Sequence, residues 1–120
     1  MALGHENLRV YQASIQFCAW AGDFLAGVPK GLAVHSQLDR ASTSICLNIA
    51  EGAGKFTSKD QAKFYDIARG SALESGACLD VAVARRFVAA DRISEGKALL
   101  ESIVGMLVAL VRAGATGRSV

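Results

Sequence analysis

Four polar side chains, Arg40, Ser44, Asn48 and Glu51, recur at steps of four, four and three residues within the small and apolar run from Ser36 to Gly54. On a helix this spacing stacks them along one stripe over three turns. Two kinds of chemistry can be built from such a stripe. Glu51, with Glu74 further along, offers carboxylates for general acid–base work, and Arg40 offers a cation to hold an anionic group. The stripe contains no histidine or cysteine, so a nucleophile with its base is missing. The second reading is architectural. Polar groups inside an apolar helix must find partners or cost stability. If the chain folds back around residues 54–57, positions near 40 face positions near 71–75, and Arg40 meets Glu74 with Ser71 nearby. A buried, two-pronged Arg–Glu pair fixes register while adding little net stability, yet removing one partner is costly. On that basis Arg40→Ala is expected to cost several kcal/mol. A polar network of Arg40, Ser44, Asn48, Glu51, Ser71 and Glu74 is therefore preferred to an enzyme using Glu51 and Arg40 in a pocket, and no catalytic residue is assigned.

Other motifs that could carry chemistry fall short of their requirements. Gly52 to Lys55 reads GAGK, but a phosphate loop needs an earlier glycine where Ile49 stands and a Ser or Thr where Phe56 stands. A di-iron bundle needs paired Glu-x-x-His motifs, and none is present. Cys18, Cys46 and Cys78 are about 30 residues apart, odd in number and set in apolar helical patterns, so they read as buried free thiols. His5 and His35 have no ligand-spaced companions. No metal and no cofactor is expected. The basic residues form two clusters: Lys55, Lys59 and Lys63 at four-residue steps, and Arg85 and Arg86 with Arg92 and Lys97 around a later turn. Each cluster reads first as a solvated face, and Lys55, Lys59, Lys63, Arg85 and Arg86 are the candidates for RNA or DNA contact, acting on phosphates without base readout.

The elements that must position these groups are all helical. Periodicity and punctuation predict helices at about 10–26, 36–53, 59–89 and 95–112, with a tail at 114–120 expected to be disordered. Tyr11, Ile15, Cys18 (or Ala19), Gly22 and Leu25 form the apolar stripe expected of the first helix. Pro29 ends that helix, Ser58 with Gln61 suits a capping box for the third, and Ala90 to Ile93 suits a short turn. No strand pattern, repeat or linker is visible. Short connections favour antiparallel neighbours, hence an all-α, up-down-up-down four-helix bundle in one domain, residues 1–120. Gly70, Ser71, Ala72, Ser75, Gly76 and Ala77 would let another helix approach the third closely. The fourth helix is apolar almost all round, which predicts that it contributes to a subunit interface.

Composition bounds the class. Of 120 residues, 52% are hydrophobic and mean hydropathy is +0.30, a surplus that a small domain buries against another subunit. A net charge of only +2 gives no strong global field, although an oligomer would repeat each basic cluster. The longest apolar run, residues 103–111, is too short for a membrane span, and the N-terminus lacks a leader pattern. A cytoplasmic protein without membrane contact is expected.

Three segments together carry a family resemblance: Glu6 to Gln12 (ENLRVYQ), Ser36 to Gly52 (SQLDRASTSICLNIAEG) and Ala68 to Glu74 (ARGSALE). They resemble the four-helix-bundle proteins encoded in intervening sequences of bacterial 23S rRNA genes, a family that includes the accessory protein of diversity-generating retroelements. The likeness spans about residues 6–112. It implies a left-handed up-down bundle, a ring-like homopentamer and no enzymatic activity. Retroelement relatives bind nucleic acid and a reverse transcriptase through a strongly basic surface, whereas this chain has Lys55 where arginine is frequent and a modest charge. The resulting expectation is a ring-forming scaffold with weak phosphate-backbone binding, against a protein-binding adaptor without nucleic-acid contact.

Overall fold

Val10, Ser14, Phe17, Ala21 and Phe24 recur at four- and three-residue steps and are all buried on one side of the first helix, α1 (Arg9–Ala26). The computed structural model describes residues 3–115. It continues with α2 (Ala33–Ala53), α3 (Ser58–Ala84), a single tight helical turn (Ala90–Ile93) and α4 (Ser94–Ala115). Among the described residues there is no strand, and no helix is long and apolar enough to cross a membrane. α2 packs on α3, α3 on α4, and α1 bridges α2 and α4, so the four helices enclose one core. Phe17, Leu38, Ile45, Ile49, Leu79, Ile103 and Leu107 lie at its centre, each fully shielded from water. Burying side chains of this size stabilises the fold by roughly 1.5–3 kcal/mol apiece.

Several helix details differ from the sequence expectation. The buried stripe of α1 is rotated by about one residue: Ile15 is exposed, Gly22 faces solvent, and Phe17 and Phe24 point inward instead. The two aromatic rings remove more apolar area from water than Ile15 could, and they decide the face. α2 begins three residues before Ser36, because Val34 is buried and extends the apolar face of Leu38, Ala41 and Ile45 backwards. The cap of α3 is Thr57, not Ser58: its hydroxyl accepts from the Asp60 backbone N–H at 3.1 Å. Gln61 does turn back, but onto the Lys55 carbonyl at 3.2 Å.

The C-terminus of α3 falls at Ala84, five residues before the expected Ala89. Arg86 adopts φ 61°, and the backbone N–H groups of Arg86 and Phe87 donate to the carbonyls of Val83 and Ala82 at 2.9 Å each. That pair of bonds is the reversal usually built on glycine, and here arginine fills the left-handed position. Without a glycine there, the sequence carried no stop signal.

α4 also runs further than expected. Gly114, placed in the tail by sequence, is buried inside α4, where an added Cβ would collide with Ala62 and the Ser58 carbonyl. Residues 116–120 of the expected disordered tail lie outside the described residues. Close helix approaches occur at Gly52, Gly96 and Gly114, against Tyr65, Trp20 and Ala62 respectively. Gly70, expected to admit a helix, has nothing within 4 Å of a built Cβ, and Gly76 only touches Leu100 at 3.7 Å.

Candidate functional site: the α2–α3 seam and its basic end

The antiparallel turn between α2 and α3 brings Arg40 to Glu74 and Ser44 to Ser71. One guanidinium nitrogen of Arg40 donates to one Glu74 carboxylate oxygen at 2.8 Å. The hydroxyls of Ser44 and Ser71 lie 2.9 Å apart, and Asn48 Nδ2 donates to both the carbonyl and the hydroxyl of Ser44, at 2.9 and 3.0 Å. Ser75, one turn beyond, donates to the Ser71 carbonyl at 2.9 Å. Each side chain of this ladder thus has a partner on a neighbour, and among the described residues no buried side-chain nitrogen or oxygen lacks one.

Burial corrects one expectation. The Arg40 and Glu74 side chains are 67% and 40% exposed, and their contact is single. Arginine at a surface seam pairs in high dielectric, where an ion pair contributes under about 1 kcal/mol. The large cost expected for Arg40→Ala therefore does not follow from the single chain. Ser44, Ser71 and Asn48 are half-buried, and the seam is a shallow open groove lined by Ser36, Asp39, Arg40, Thr43, Ser44, Leu47 and Asn48. Glu51 is exposed and outside the ladder. It lies three helical turns from Arg40, roughly 16 Å at 1.5 Å per residue. The structure does not bring Glu51 and Arg40 into one pocket.

Beneath the seam sit the cysteines. Cys46 and Cys78 are buried and Cys18 half-buried, all three free. Cys46 Sγ donates to the Ser14 carbonyl at 3.3 Å, tying α2 to α1, and burial pushes this thiol up to about 11. Burial likewise raises Cys78, with the Glu74 carboxylate adding to the rise and Arg40 opposing it. Neither is a reactive thiolate at neutral pH.

The two basic clusters fall at opposite ends of α3. Lys59 and Arg85 are separated by about 40 Å along it at 1.5 Å per residue, nearly the 44 Å length of the molecule. They do not form one surface in a single copy. Arg85 and Arg86 are exposed at the left-handed stop of α3, and Arg86 is held there by its backbone. At the other end Lys59 and Lys63 are exposed on the first turns of α3, while the Lys55 ammonium stands 4.9 Å above the Phe64 ring. Between Lys55 and Thr57 stands Phe56, whose side chain is wholly in solvent, at 104% relative exposure. Sequence reasoning missed Phe56 as a surface feature. The available signal was an isolated aromatic in a polar loop after Gly54.

Among the helices, exposed large apolar side chains stand on α1 (Ile15), α2 and α3 and not on α4. Leu47, Ile67, Leu73 and Val81 are 44–64% exposed, whereas the large apolar residues of α4 are buried or half-buried within the chain. Leu73, Gly76 and Ala77 of α3 face Leu100, Val104 and Gly105 of α4 across an open, mainly apolar groove of about 520 Å³.

Comparison with solved structures gives the fold a counterpart. The chain is similar to the crystal structure of a protein of unknown function from the S23 ribosomal protein family of Bacteroides thetaiotaomicron VPI-5482, with a TM-score of 0.80. Sequence identity is 19%, and the superposition covers 86% of this chain and 98% of that one. No curated protein matches the sequence. The 23S rRNA-intervening sequence protein profile matches residues 6–109, which takes in α1, α2, α3 and most of α4 with the whole polar seam. The chain therefore belongs to the 23S rRNA-intervening sequence protein family.

Proposed function

We propose that this chain is a non-enzymatic scaffold that assembles with copies of itself in the cytoplasm, as a pentameric ring, and holds nucleic-acid phosphates weakly at its basic ends. The observation that carries the reading is the apolar surface a single copy leaves in water. Leu47, Ile67, Leu73 and Val81 are 44–64% exposed, and the mainly apolar groove beside Leu73, about 520 Å³, stands open to solvent between α3 and α4. A patch of that kind marks an interaction site. The hydrogen bonds that link Arg40 to Glu74 and Ser44 to Ser71 and Asn48, with the separation of Glu51 from Arg40, support a structural role for the polar stripe. The family's name ties its members to intervening sequences of 23S rRNA, and Lys55, Lys59, Lys63, Arg85 and Arg86 supply cations for phosphate.

The first test is the mass in solution by light scattering. Five times the 12.6 kDa chain mass is expected, and Leu73→Glu should shift the species toward monomer. A wild-type monomer at micromolar concentration would sink the assembly and favour a protein-binding adaptor that offers the same groove to another partner. Binding of structured RNA and duplex DNA across a salt series tests the second half. Affinity should fall steeply with salt, and fall again in Lys59→Gln/Lys63→Gln.

A further inference from the structure

The loop between α2 and α3 is pinned on both sides of Phe56. The Gly54 N–H donates to the Ala50 and Glu51 carbonyls, and the Lys55 N–H to the Gly52 carbonyl at 3.1 Å. The Lys55 carbonyl accepts from Gln61, its ammonium rests on Phe64, and Thr57 caps α3. Phe56 is therefore presented outward by a fixed backbone and touches nothing that would hide it. An aromatic ring standing wholly in water carries an unfavourable hydration cost, which a partner covering its face would relieve.

The surroundings select the partner. Next to Phe56 in the chain stand Lys55, Thr57, Ser58 and Lys59, with Lys63 one turn further on the same face of α3 as Lys59. An apolar socket on another protein would call for apolar neighbours around the ring, and these are polar and mainly cationic. Glu51 and Asp60 offset part of the charge, and Asp60 belongs to the first turn of α3, where it complements the helix N-terminus. Cations beside an accessible aromatic face match the two parts of an unpaired nucleotide: phosphate for the lysines, base for the ring. A duplex keeps its base faces inside the stack and offers the ring nothing. The other basic end is less suited, because Phe87 beside Arg85 and Arg86 is only 39% exposed.

We propose that Phe56, flanked by Lys55, Lys59 and Lys63, is a stacking platform for an unpaired base, so that this end of the bundle takes single-stranded nucleic acid in preference to duplex. The proposal rests on the nucleic-acid half of the reading above and gives it a ligand class and a residue.

The test is fluorescence anisotropy of labelled single-stranded RNA and DNA 12-mers and a blunt-ended duplex of the same length, titrated with the full chain at low salt. Single strands should bind more tightly than the duplex. Phe56→Ala should weaken single-strand binding roughly tenfold and leave duplex binding unchanged, while Phe56→Trp restores it. Phe56 has no packing partner, so its replacement should leave the thermal melt unmoved, and this is checked by circular dichroism. Wild-type affinity in Phe56→Ala, with loss in Lys59→Gln/Lys63→Gln, would overturn the platform and leave phosphate binding standing. No binding of any nucleic acid by the wild type would overturn both. A change in oligomer mass in Phe56→Ala would assign the ring to a contact between copies and overturn the platform.

Discussion

At Arg40 a single 2.8 Å contact joins two half-wet side chains, and its energetic weight follows from that wetness. Arg40→Ala in a monomeric sample should lower unfolding stability by less than about 1 kcal/mol, measured by urea titration. A loss of several kcal/mol in the assembled protein, absent when Leu73→Glu has separated the copies, would mean that a neighbour covers the pair. Cys46 gives a second prediction, with a definite sign. Its thiol titrates at 9.0 in an exposed chain and at about 11 when folded, so between these values the unfolded state releases a proton that the folded state keeps. Stability is full below pH 9 and declines as pH rises toward 11. Cys78 and Tyr65, both raised by burial, act in the same direction. The urea midpoint should therefore fall through this window, and Cys46→Ala should make the fall shallower; an identical slope would remove Cys46 as a source. Much of this site was legible in the sequence, because helical spacing alone put Arg40 opposite Glu74 with Ser71 nearby. What spacing does not report is depth. The same four-residue step fits a core stripe and a surface seam, and only the large neighbours Leu38, Ile45 and Ile49 decide which way the helix turns.

Among the elements, the ends of the helices carry the information that sequence punctuation lacked. Arg86 occupies a left-handed conformation that costs a non-glycine residue roughly 1–2 kcal/mol. Arg86→Gly should thus raise the melting temperature by a few degrees, an effect of about 1 kcal/mol after the entropy of glycine in the unfolded chain is subtracted. An unchanged or lower melting temperature would show that the arginine side chain compensates for its strained backbone. Gly96 is the opposite case. It lies in α4, where alanine is intrinsically better by up to about 1 kcal/mol, yet a Cβ there would drive into the Trp20 ring. Overpacking of a fixed ring costs about 1–3 kcal/mol, so Gly96→Ala should be net destabilising in a thermal melt. Glycines 70 and 76 looked like the contact positions because they cluster in mid-helix. The tightest contacts are made instead by Gly52, Gly96 and Gly114 near helix ends, where a glycine in a sequence reads equally well as a loop residue. The tail reading failed for this reason at Gly114.

For the whole molecule, the question is which surface a single copy leaves unfinished. Composition announced a surplus of apolar residues and pointed to α4, the most hydrophobic helix. The fold spends that hydrophobicity internally, since Leu100, Ile103 and Leu107 reach the core, and leaves Ile67, Leu73 and Val81 of α3 uncovered instead. Gly70 and Gly105 stand open on these outer faces, and glycine there weakens its helix without any contact inside the chain. Gly70→Ala should stabilise a lone copy by up to about 1 kcal/mol. If the same change lowers the assembled mass, a neighbour's backbone passes over this position. The stacking of Trp20 between Phe17 and Phe24, at 5.8 and 5.1 Å, has a practical consequence beyond packing. It is the sole tryptophan in the chain, and the backbone of Gly96 closes over it only once α4 has docked on α1. Its ultraviolet emission is therefore a native optical reporter for the arrival of the last helix. A blue shift arriving later than the far-ultraviolet helical signal, in a stopped-flow mixing experiment, would time the closure of the bundle without any attached dye.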